Sequence, residues 1–269
     1  MSLPAEVDWL GLCRRAAASA RSAVGELSSA AERSAEHGRG EGGDTTRAVD
    51  QAAEDAIFAE LERSGAPLTA VSEERGEVSL SGGREGEGRV RVVIDPVDGS
   101  MNAKRGLPFA CISIAVASGP RMADVEVGVV AQLDPAVEWW AVLGEGAHLD
   151  EERLEKLVPG PLEVLGLETA RPSLVAAQAE AIAATEARRL RALGSVAVSM
   201  CLVATGRLDA MVTLREVRSV DVAAAQLIVA EAGGAVALPG GDALDLKLRS
   251  RVAAARSPEL VERLLESLG

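Results

Sequence analysis

The sequence predicts a chain that is α+β in its first part and α/β in its second, with one interface between the two parts. Helical stretches come first, short β-rich runs follow without long helices between them, and strands alternate with helices from about Leu162 onwards. Short uninterrupted strands favour an antiparallel or mixed sheet, whereas alternation favours parallel strands with crossover helices. We therefore expect an α+β part over 1–145 and an α/β part over 146–269.

The first part opens with helical spacing. Apolar residues recur from Val7 onwards with the period of an α-helix, which predicts one long helix that ends near Gly38. A second helix is predicted over 46–64. The run "LTAVS" then predicts a strand, and the glycine- and charge-rich stretch 75–88 predicts a mobile loop.

The remaining elements are predicted from short apolar runs and from capping residues. The runs "RVRVVI", "ACISIAVA", "VEVGVVAQL" and "VEWWAVL" are typical of strands. Further on, "SVAVSMCLVAT" and "DVAAAQLIVAEA" predict helices on either side of the strand "LDAMVTL". Ser257 and Pro258 predict the start of the last helix, because serine caps helices and proline suits the first helical position.

The composition argues against several function classes. The chain carries a net charge of −13 and only 2% aromatic residues, so it would repel a nucleic-acid backbone and offers few rings for base stacking. Cys13, Cys111 and Cys201 lie in apolar surroundings, which favours reduced core thiols. We find neither a leader pattern nor an apolar run long enough to span a membrane, so we expect a cytoplasmic protein without nucleic-acid or membrane partners.

Two familiar site patterns are poorly supported. Gly38, Gly40 and Gly43 match the G-x-G-x-x-G spacing of dinucleotide-binding loops, but that pattern requires a preceding strand and here a predicted helix precedes it. The two histidines, His37 and His148, lie in polar turn contexts, which favours a solvated role over a catalytic triad or a zinc site. The acidic residues are left as the candidates for chemistry.

The stretch "IDPVDGSMN" (94–102) concentrates carboxylates where a strand should end. Asp95 and Asp98 flank a proline, and Gly99 permits a sharp turn, so the two side chains can converge. Ordinary turn formation explains this stretch about equally well, since Asp-Pro and Asp-Gly are common turn dipeptides. Other acidic residues stand at strand ends and helix starts, namely Asp44, Asp50, Glu73, Glu74 and Asp221. If they converge they repel one another unless a cation joins them, and oxygen ligands suit a hard ion such as Mg²⁺.

Four stretches together resemble the inositol monophosphatase family. They are "SEERGE", "IDPVDGSMN", "GSVAVSMCLVATGRLDAM" and "VDVAAAQLIVAEAGG", in that order, and the similarity extends from about Leu10 to the final helix. The family belongs to a superfamily of Mg²⁺-dependent, lithium-sensitive phosphomonoesterases that includes fructose-1,6-bisphosphatase and the bisphosphate nucleotidases. The resemblance implies a layered α/β/α/β/α sandwich of the sugar phosphatase type, in a homodimer, with the site between the two halves of each chain.

The resemblance also implies roles for individual residues. It implies a site for about two or three Mg²⁺ ions, with these ligands: Glu73, Asp95, the main-chain carbonyl of Val97, Asp98 and Asp221. Asp50 and Ser100 would orient the nucleophilic water alongside Glu73, and the amides of Gly99 and Ser100 would bind the phosphate. The implied activity is hydrolysis of a small phosphorylated polyol or sugar, similar to inositol 1-phosphate, by a metal-activated water.

The substrate end departs from the family pattern. Leu214 stands where inositol-specific members place an acidic residue that accepts hydrogen bonds from ring hydroxyls, which argues against efficient hydrolysis of inositol phosphate. The small substrate-facing turn of the family is retained in Gly194, Ser195 and Val196. Arg215 and Arg218 are either solvated loop residues or ligands of a second substrate phosphate.

Alternatives stay open on the sequence alone. Within the superfamily, the chain could be a fructose-1,6-bisphosphatase or a bisphosphate nucleotidase, and the few aromatic rings available to stack on adenine weigh slightly against the nucleotide. Outside the enzymes, it could be a metal- or phosphometabolite-binding homologue without turnover. The complete ligand set favours the enzyme.

Overall fold

The computed structural model describes residues 2–27, 29–41, 45–80 and 90–268. The first half of the chain combines helices with the strands of one large sheet. In chain order its elements are α1 (Trp9–Glu26), α2 (Ala30–Ser34), β1 (Glu36–Arg39), β2 (Thr45–Arg47), α3 (Ala48–Ser64), β3 (Leu68–Ser72), β4 (Gly76–Leu80), β5 (Arg91–Asp98), α4 (Ser100–Arg105), β6 (Cys111–Ala117), β7 (Val125–Gln132), β8 (Glu138–Val142), β9 (Gly146–Leu149) and β10 (Glu152–Arg153). A short 3₁₀ turn at Met122–Asp124 precedes β7.

The large sheet is mixed, as the short strand runs predicted. Its strand order is β10-β9-β8-β7-β6-β5-β3-β4. Only β3 and β5 run parallel among these described neighbours, and the other pairs are antiparallel. The parallel pair matters for function because it brings the carboxyl ends of β3 and β5 to the same edge of the sheet.

The prediction of one long first helix is wrong. The helix α1 ends at Glu26, and α2 begins after Ser29. The Ser29 hydroxyl accepts a hydrogen bond from Glu32 N, and the Glu32 carboxylate accepts one from Ser29 N. This reciprocal capping box starts a new helix, so the chain can turn away while the apolar spacing continues. Gly38 ends no helix and lies in β1 with a φ of 124°.

The second half contributes a smaller sheet with helices around it. Its elements are β11 (Val164–Glu168), α5 (Pro172–Ala177), α6 (Ala179–Ala184), β12 (Arg189–Arg191), α7 (Val196–Ala204), β13 (Ala210–Thr213), α8 (Ala223–Glu231), β14 (Ala235–Ala237), β15 (Ala253–Ala255) and α9 (Pro258–Leu268). The strand order is β12-β11-β13-β15-β14, with β12, β11 and β13 parallel. The predicted helices and strands of this half are confirmed, including the start of α9 at Pro258.

The elements stack as five layers, which confirms the α/β/α/β/α sandwich. The helices α1 and α3 cover one face of the large sheet, and a buried cluster that includes Phe58 and Ile94 fills that space. The helices α7 and α8 lie between the two sheets, around a cluster that includes Trp139 and Met200. The outer face of the small sheet is closed by α6 and α9 around Leu165.

Two boundaries differ from the predictions. The large sheet extends past residue 145, because β9 pairs with β8 and β10 pairs with β9. The predicted loop 75–88 begins instead with β4, which pairs with β3 over 76–80, and 81–88 lie outside the described residues. Of the helices in the described ranges, none is long and apolar enough to cross a membrane. All three cysteines are free and buried, as predicted for core thiols.

Candidate active site

A cavity of about 760 Å³ opens where the ends of the two sheets meet. It is lined by the end of β3, the end of β5, the start of α4 and the loops that follow β11, β12 and β13. Most of the predicted site residues line it, namely Asp50, Glu73, Asp95, Val97, Asp98, Gly99, Ser100, Gly194, Val196, Arg215, Arg218 and Asp221. Asp44 lies outside the described residues, and Glu74 also lines the cavity.

A β-bulge brings the two aspartates of β5 to this cavity. Asp95 pairs with Ser113 and Asp98 pairs with Cys111, so β5 carries one residue more than β6 in this interval. A bulge bends its strand and redirects the side chains on it. Pro96 lies inside the bulge, where the regular hydrogen-bond ladder of the sheet is interrupted, so its missing N–H removes no hydrogen bond between the strands. The Asp95 carboxylate accepts a hydrogen bond from Val97 N at 3.0 Å, which fixes the turn.

Glu73 reaches the same edge from the neighbouring parallel strand. Ser72 pairs with Ile94, so the next residue of each strand is Glu73 on β3 and Asp95 on β5. Glu73 N donates to the Ile94 carbonyl at 3.3 Å. Adjacent parallel strands that end together therefore place these two carboxylates side by side.

Asp221 comes from the other half of the chain, just before α8. Its carboxylate accepts a hydrogen bond from Arg218 N at 2.8 Å, which orients the side chain. One carboxylate oxygen from each of Glu73, Asp95 and Asp221 lies within 4.8 Å of the other two. The carboxylates that the sequence places far apart therefore converge on one point.

Burial and mutual repulsion raise the pKa values of the four neighbouring carboxyl groups, those of Glu73, Asp95, Asp98 and Asp221. Burial raises the pKa of Glu73 to about 8, and the Asp221 carboxylate adds to this shift. Burial likewise raises the pKa of Asp98 to about 7, again with a contribution from Asp221. The pKa values of Asp95 and Asp221 are also raised, by burial first. Positive charge brought among these groups would stabilise their ionised forms.

The donors in this cluster fit a hard divalent cation. Carboxylate oxygens are the ligands that Mg²⁺ prefers, and zinc sites use sulfur and imidazole instead. Among the described residues, the cluster consists of Glu73, Asp95 and Asp221, without cysteine or histidine. The guanidinium of Arg218 forms an ion pair with Glu73, so one protein cation already lies beside the cluster.

The Asp50 carboxylate and the Ser100 hydroxyl line the same cavity as the cluster of Glu73, Asp95 and Asp221, which we call the metal-type cluster. Asp50 is only 3% exposed, and its carboxylate accepts a hydrogen bond from Arg47 N at the start of α3. Burial raises the pKa of Asp50, and the neighbouring Ser100 hydroxyl partly offsets this shift. The Ser100 hydroxyl lies 2.9 Å from the Val97 carbonyl, to which it donates. The pair is therefore held beside the bulge of β5.

Comparison with known proteins identifies the family. The model of the inositol monophosphatase family matches residues 10–269. The chain is 34% identical over 271 residues to a fructose-1,6-bisphosphatase/inositol-1-monophosphatase of Methanothermobacter thermautotrophicus, across 97% of this chain and 96% of that protein. It is also 34% identical to Nus factor SuhB of Haemophilus influenzae, across 82% of this chain and 80% of that protein. The chain belongs to the inositol monophosphatase family.

Solved structures of the family share the fold. A crystal structure of an inositol monophosphatase–fructose 1,6-bisphosphatase superposes with a TM-score of 0.81 at 24% identity, covering 97% of this chain and all 100% of that chain. The Thermotoga maritima IMPase superposes with a TM-score of 0.77 at 24% identity, covering 98% of this chain and 100% of that chain. Members of this family are phosphoric monoester hydrolases, and metal dependence, typically on Mg²⁺, is a general property of the family.

Two residues predicted to face the substrate lie elsewhere. Ser195 is 1% exposed, and its hydroxyl donates to the Asp98 carboxylate at 2.7 Å. It also caps α7 by accepting a hydrogen bond from Val198 N. Leu214 is 2% exposed and packs in the cluster beneath α9. Ser195 therefore orients Asp98, and Leu214 fills the core of the second half.

Gly99 and Gly194 both line the cavity and lie close to each other. Gly99 has a φ of 88°, and a Cβ there would lie 2.7 Å from the Phe109 carbonyl oxygen, so only glycine fits. The same Cβ would lie 3.2 Å from the Gly194 carbonyl oxygen. The turn before α4 is thus packed directly against the turn before α7.

The sequence reasoning missed two residues that hold these turns. Glu168, 1% exposed at the end of β11, accepts hydrogen bonds from Leu193 N at 2.9 Å and Gly194 N at 2.8 Å. It also accepts one from the Ser199 hydroxyl at 2.6 Å. The Asn102 amide donates to the Leu193 carbonyl at 2.7 Å. An acidic residue that ends a buried strand was the available signal for Glu168, as it was for Glu73.

Proposed function

We propose that the protein is a Mg²⁺-dependent phosphomonoesterase that hydrolyses a small phosphorylated polyol or sugar. The observation that carries this proposal is the convergence of Glu73, Asp95 and Asp221 within 4.8 Å of one another in an open cavity. Asp221 and the other two residues come from different halves of the chain, so their meeting is a product of the fold. Membership of the inositol monophosphatase family supports the same activity.

The proposed metal site uses the three carboxylates of the cluster, the neighbouring Asp98 carboxylate and one carbonyl. The residues that would hold Mg²⁺ are Glu73, Asp95, the Val97 carbonyl, Asp98 and Asp221. Four ionised carboxylates carry a charge of about −4, which about two divalent ions would neutralise before an anionic substrate arrives. When bound, Mg²⁺ supplies positive charge that stabilises the transferred phosphoryl group and the leaving oxygen and favours ionisation of a water. The hydrogen bonds from Ser195 and Ala197 N to Asp98, both 2.7 Å, keep that ligand oriented.

The chain's own residues supply the positioning. We assign the attacking water to Asp50, Ser100 and Glu73, because Glu73 belongs to the cluster and all three residues line the same cavity. The carboxylate of Asp50 would accept the proton of the water, directly or through the Ser100 hydroxyl. Because α3 and the bulge of β5 hold these groups, little reorganisation is needed when the substrate binds.

The phosphate is assigned to the turn before α4. The first hydrogen bonds of α4 are donated by Asn102 N and Ala103 N to the Gly99 carbonyl. The preceding amides, those of Gly99 and Ser100, lie at the cavity lining, where they can donate to phosphate oxygens. Gly99 supplies the left-handed φ of this turn.

A bisphosphate is a second candidate substrate. Arg171 and Arg215 line the cavity on the loops after β11 and β13. Either guanidinium could bind a second phosphate in a bidentate manner. The relatives from Methanothermobacter thermautotrophicus and Thermococcus kodakarensis both carry the name fructose-1,6-bisphosphatase/inositol-1-monophosphatase. Arg218 is engaged with Glu73, so Arg171 and Arg215 are the better candidates for this contact.

An assay of phosphate release tests the proposed phosphatase activity and the alternative functions together. A panel of inositol, fructose, histidinol and nucleotide phosphates would be incubated with the protein, with Mg²⁺ or with EDTA. We expect Mg²⁺-dependent release from at least one polyol or sugar phosphate. Release that is unaffected by EDTA would contradict the metal assignment. No release from any ester by a protein that binds Mg²⁺ would favour the non-catalytic binding homologue.

Two further proposals concern the state of the protein in the cell. The family resemblance favours a homodimer, and light scattering coupled to gel filtration would measure its mass. The same resemblance favours a cytoplasmic location, which fractionation of the source cells would test.

A further inference from the structure

A buried carboxylate outside the metal-type cluster holds the turn that carries Glu73. Glu54 is 1% exposed on α3. It accepts a hydrogen bond from the Ser72 hydroxyl, immediately before Glu73. It also accepts hydrogen bonds from Arg75 N and Arg75 Nε, each at 3.2 Å, immediately after Glu74. Glu54, Ser72 and Arg75 form what we call the Glu54 clamp.

The far end of the clamp is fixed to the same helix. The Arg75 guanidinium pairs with Asp55 and lies 4.3 Å from the ring centroid of Phe58. Both residues belong to α3, as does Glu54. A planar guanidinium held by a carboxylate on each side and by an aromatic face has little freedom to move. The chain on both sides of Glu73 and Glu74 is therefore tied to α3.

The helix that carries the clamp also carries Asp50. Asp50 and Glu54 are four residues apart on α3 and thus lie on the same face, one turn from each other. Asp50 borders the cavity, whereas Glu54 faces the turn after β3. One rigid helix thereby fixes the spacing between the proposed water-orienting carboxylate and the proposed metal ligand Glu73.

We propose that Glu54 is a positioning residue that sets the metal affinity of the site by holding Glu73 in place. This inference rests on the proposed function, because it takes Glu73 as a metal ligand. Groups that orient metal ligands without touching the metal change its affinity by roughly 10–100-fold when they are removed. A buried ion pair with a purely structural role would instead change the thermal stability and leave the Mg²⁺ affinity of the folded protein unaltered.

The decisive substitution is Glu54→Gln, measured by calorimetric titration with Mg²⁺ alone. Glutamine keeps the size of the side chain, but its amide nitrogen cannot accept from Ser72 or Arg75. We expect the dissociation constant for Mg²⁺ to rise by about tenfold. Ser72→Ala removes one donor and leaves the charges in place, so we expect a smaller rise. Glu62→Gln is the matched control, because it makes the same substitution at an exposed residue of the same helix, outside the clamp, and we expect wild-type affinity.

Circular dichroism in EDTA would establish that each variant is folded. Equal Mg²⁺ affinity in the wild type, Glu54→Gln and Ser72→Ala would overturn the inference. If Glu54→Gln does not fold, Ser72→Ala decides, and an unchanged dissociation constant in that variant overturns the inference. A wild type that binds Mg²⁺ but releases no phosphate would contradict the proposed function alone. A wild type that binds no Mg²⁺ would contradict both.

Discussion

The two ends of the cavity are built in different ways. At the metal-type end, where Glu73, Asp95 and Asp221 lie, Asp95 is 2% exposed, and its carboxylate accepts a hydrogen bond from Val97 N of the same strand. At the opposite end, Arg171 and Arg215 are exposed on loops, and their backbone amides are hydrogen-bonded. Both amides bond to Thr169: Arg171 N donates to its carbonyl at 2.9 Å and Arg215 N to its hydroxyl at 3.1 Å.

Thr169 shows how the second end is organised. It is a β-branched residue with a φ of 56°, a conformation that such residues rarely adopt. Its hydroxyl also accepts a hydrogen bond from Leu214 N at 3.1 Å. The strained residue thus ties two loops together, while the side chains of both arginines are exposed. Under the proposed function, the metal-type end would determine the reaction and the opposite end would select the substrate.

The largest expected effect is that of Asp95→Asn. The substitution removes a proposed ligand and keeps the shape, so turnover should fall by more than the roughly 10–100-fold typical of outer-shell partners. In EDTA the same variant should unfold at a higher temperature than the wild type, because a repelling carboxylate has been removed from the cluster. Phosphate release and thermal unfolding would measure the two effects. The exposed Asp242→Asn is the control, and activity like that of the wild type in Asp95→Asn would refute the ligand assignment.

The metal-type end could be predicted from the sequence because its constraints are strong. Buried carboxylates must be paired or coordinated, so acidic residues at the ends of apolar runs are informative. The bulge of β5, which turns Asp95 and Asp98 into the cavity, was only implied by Pro96 and Gly99. Leu214 occupies a position that the family resemblance places near the substrate but is buried, because a family position marks the loop and not the direction of a side chain within it.

Glu168→Gln should have the next largest effect. The substitution removes the carboxylate charge from all three bonds and leaves at least one of the donors, Leu193 N, Gly194 N or the Ser199 hydroxyl, without an acceptor. Hydrogen bonds to a charged group contribute about 2 kcal/mol each, and the free energy of unfolding should fall by that order. Activity should also fall, because the displaced turn carries Ser195, which orients Asp98. Denaturant unfolding and phosphate release would measure both quantities.

A suitable control for Glu168 lies at the other end of the same strand. Glu163 is exposed and pairs with Arg188, so Glu163→Gln should alter neither the free energy of unfolding nor the activity appreciably. Wild-type activity in Glu168→Gln would show that displacing the turn before α7 does not change the orientation of Asp98. The buried position of Glu168 could have been anticipated, but its three partners are brought to it by loops whose paths the sequence does not specify.

A smaller effect is expected from pH on the metal-free protein. Burial raises the pKa of Glu73 to about 8 and that of Asp98 to about 7. In the unfolded chain these carboxyls titrate near pH 4, so between about pH 4 and pH 8 the native state binds more protons than the unfolded state. Stability in EDTA should therefore fall as the pH rises through this window.

Magnesium should reverse this trend. Bound cations stabilise the ionised carboxylates, so the rise in melting temperature on adding Mg²⁺ should be larger at pH 8 than at pH 5.5. Differential scanning fluorimetry at both pH values, with Mg²⁺ and with EDTA, would measure the difference. The same comparison in Asp95→Asn should show a weaker dependence on Mg²⁺. A Mg²⁺ effect that is equal at the two pH values would contradict the raised pKa values.

The smallest effects are expected at the opposite end of the cavity, from Arg171→Ala and Arg215→Ala. An exposed ion pair contributes up to about 1 kcal/mol, which corresponds to about a fivefold rise in KM if the arginine binds a second phosphate. The rise should appear with fructose 1,6-bisphosphate and be absent with a monophosphate ester, because only the bisphosphate reaches that end. Arg191→Ala is the matched control: its exposed side chain donates to the Leu190 carbonyl and does not line the described cavity. If both arginine variants hydrolyse the two esters as the wild type does, the substrate is selected by other groups and the bisphosphate proposal is wrong.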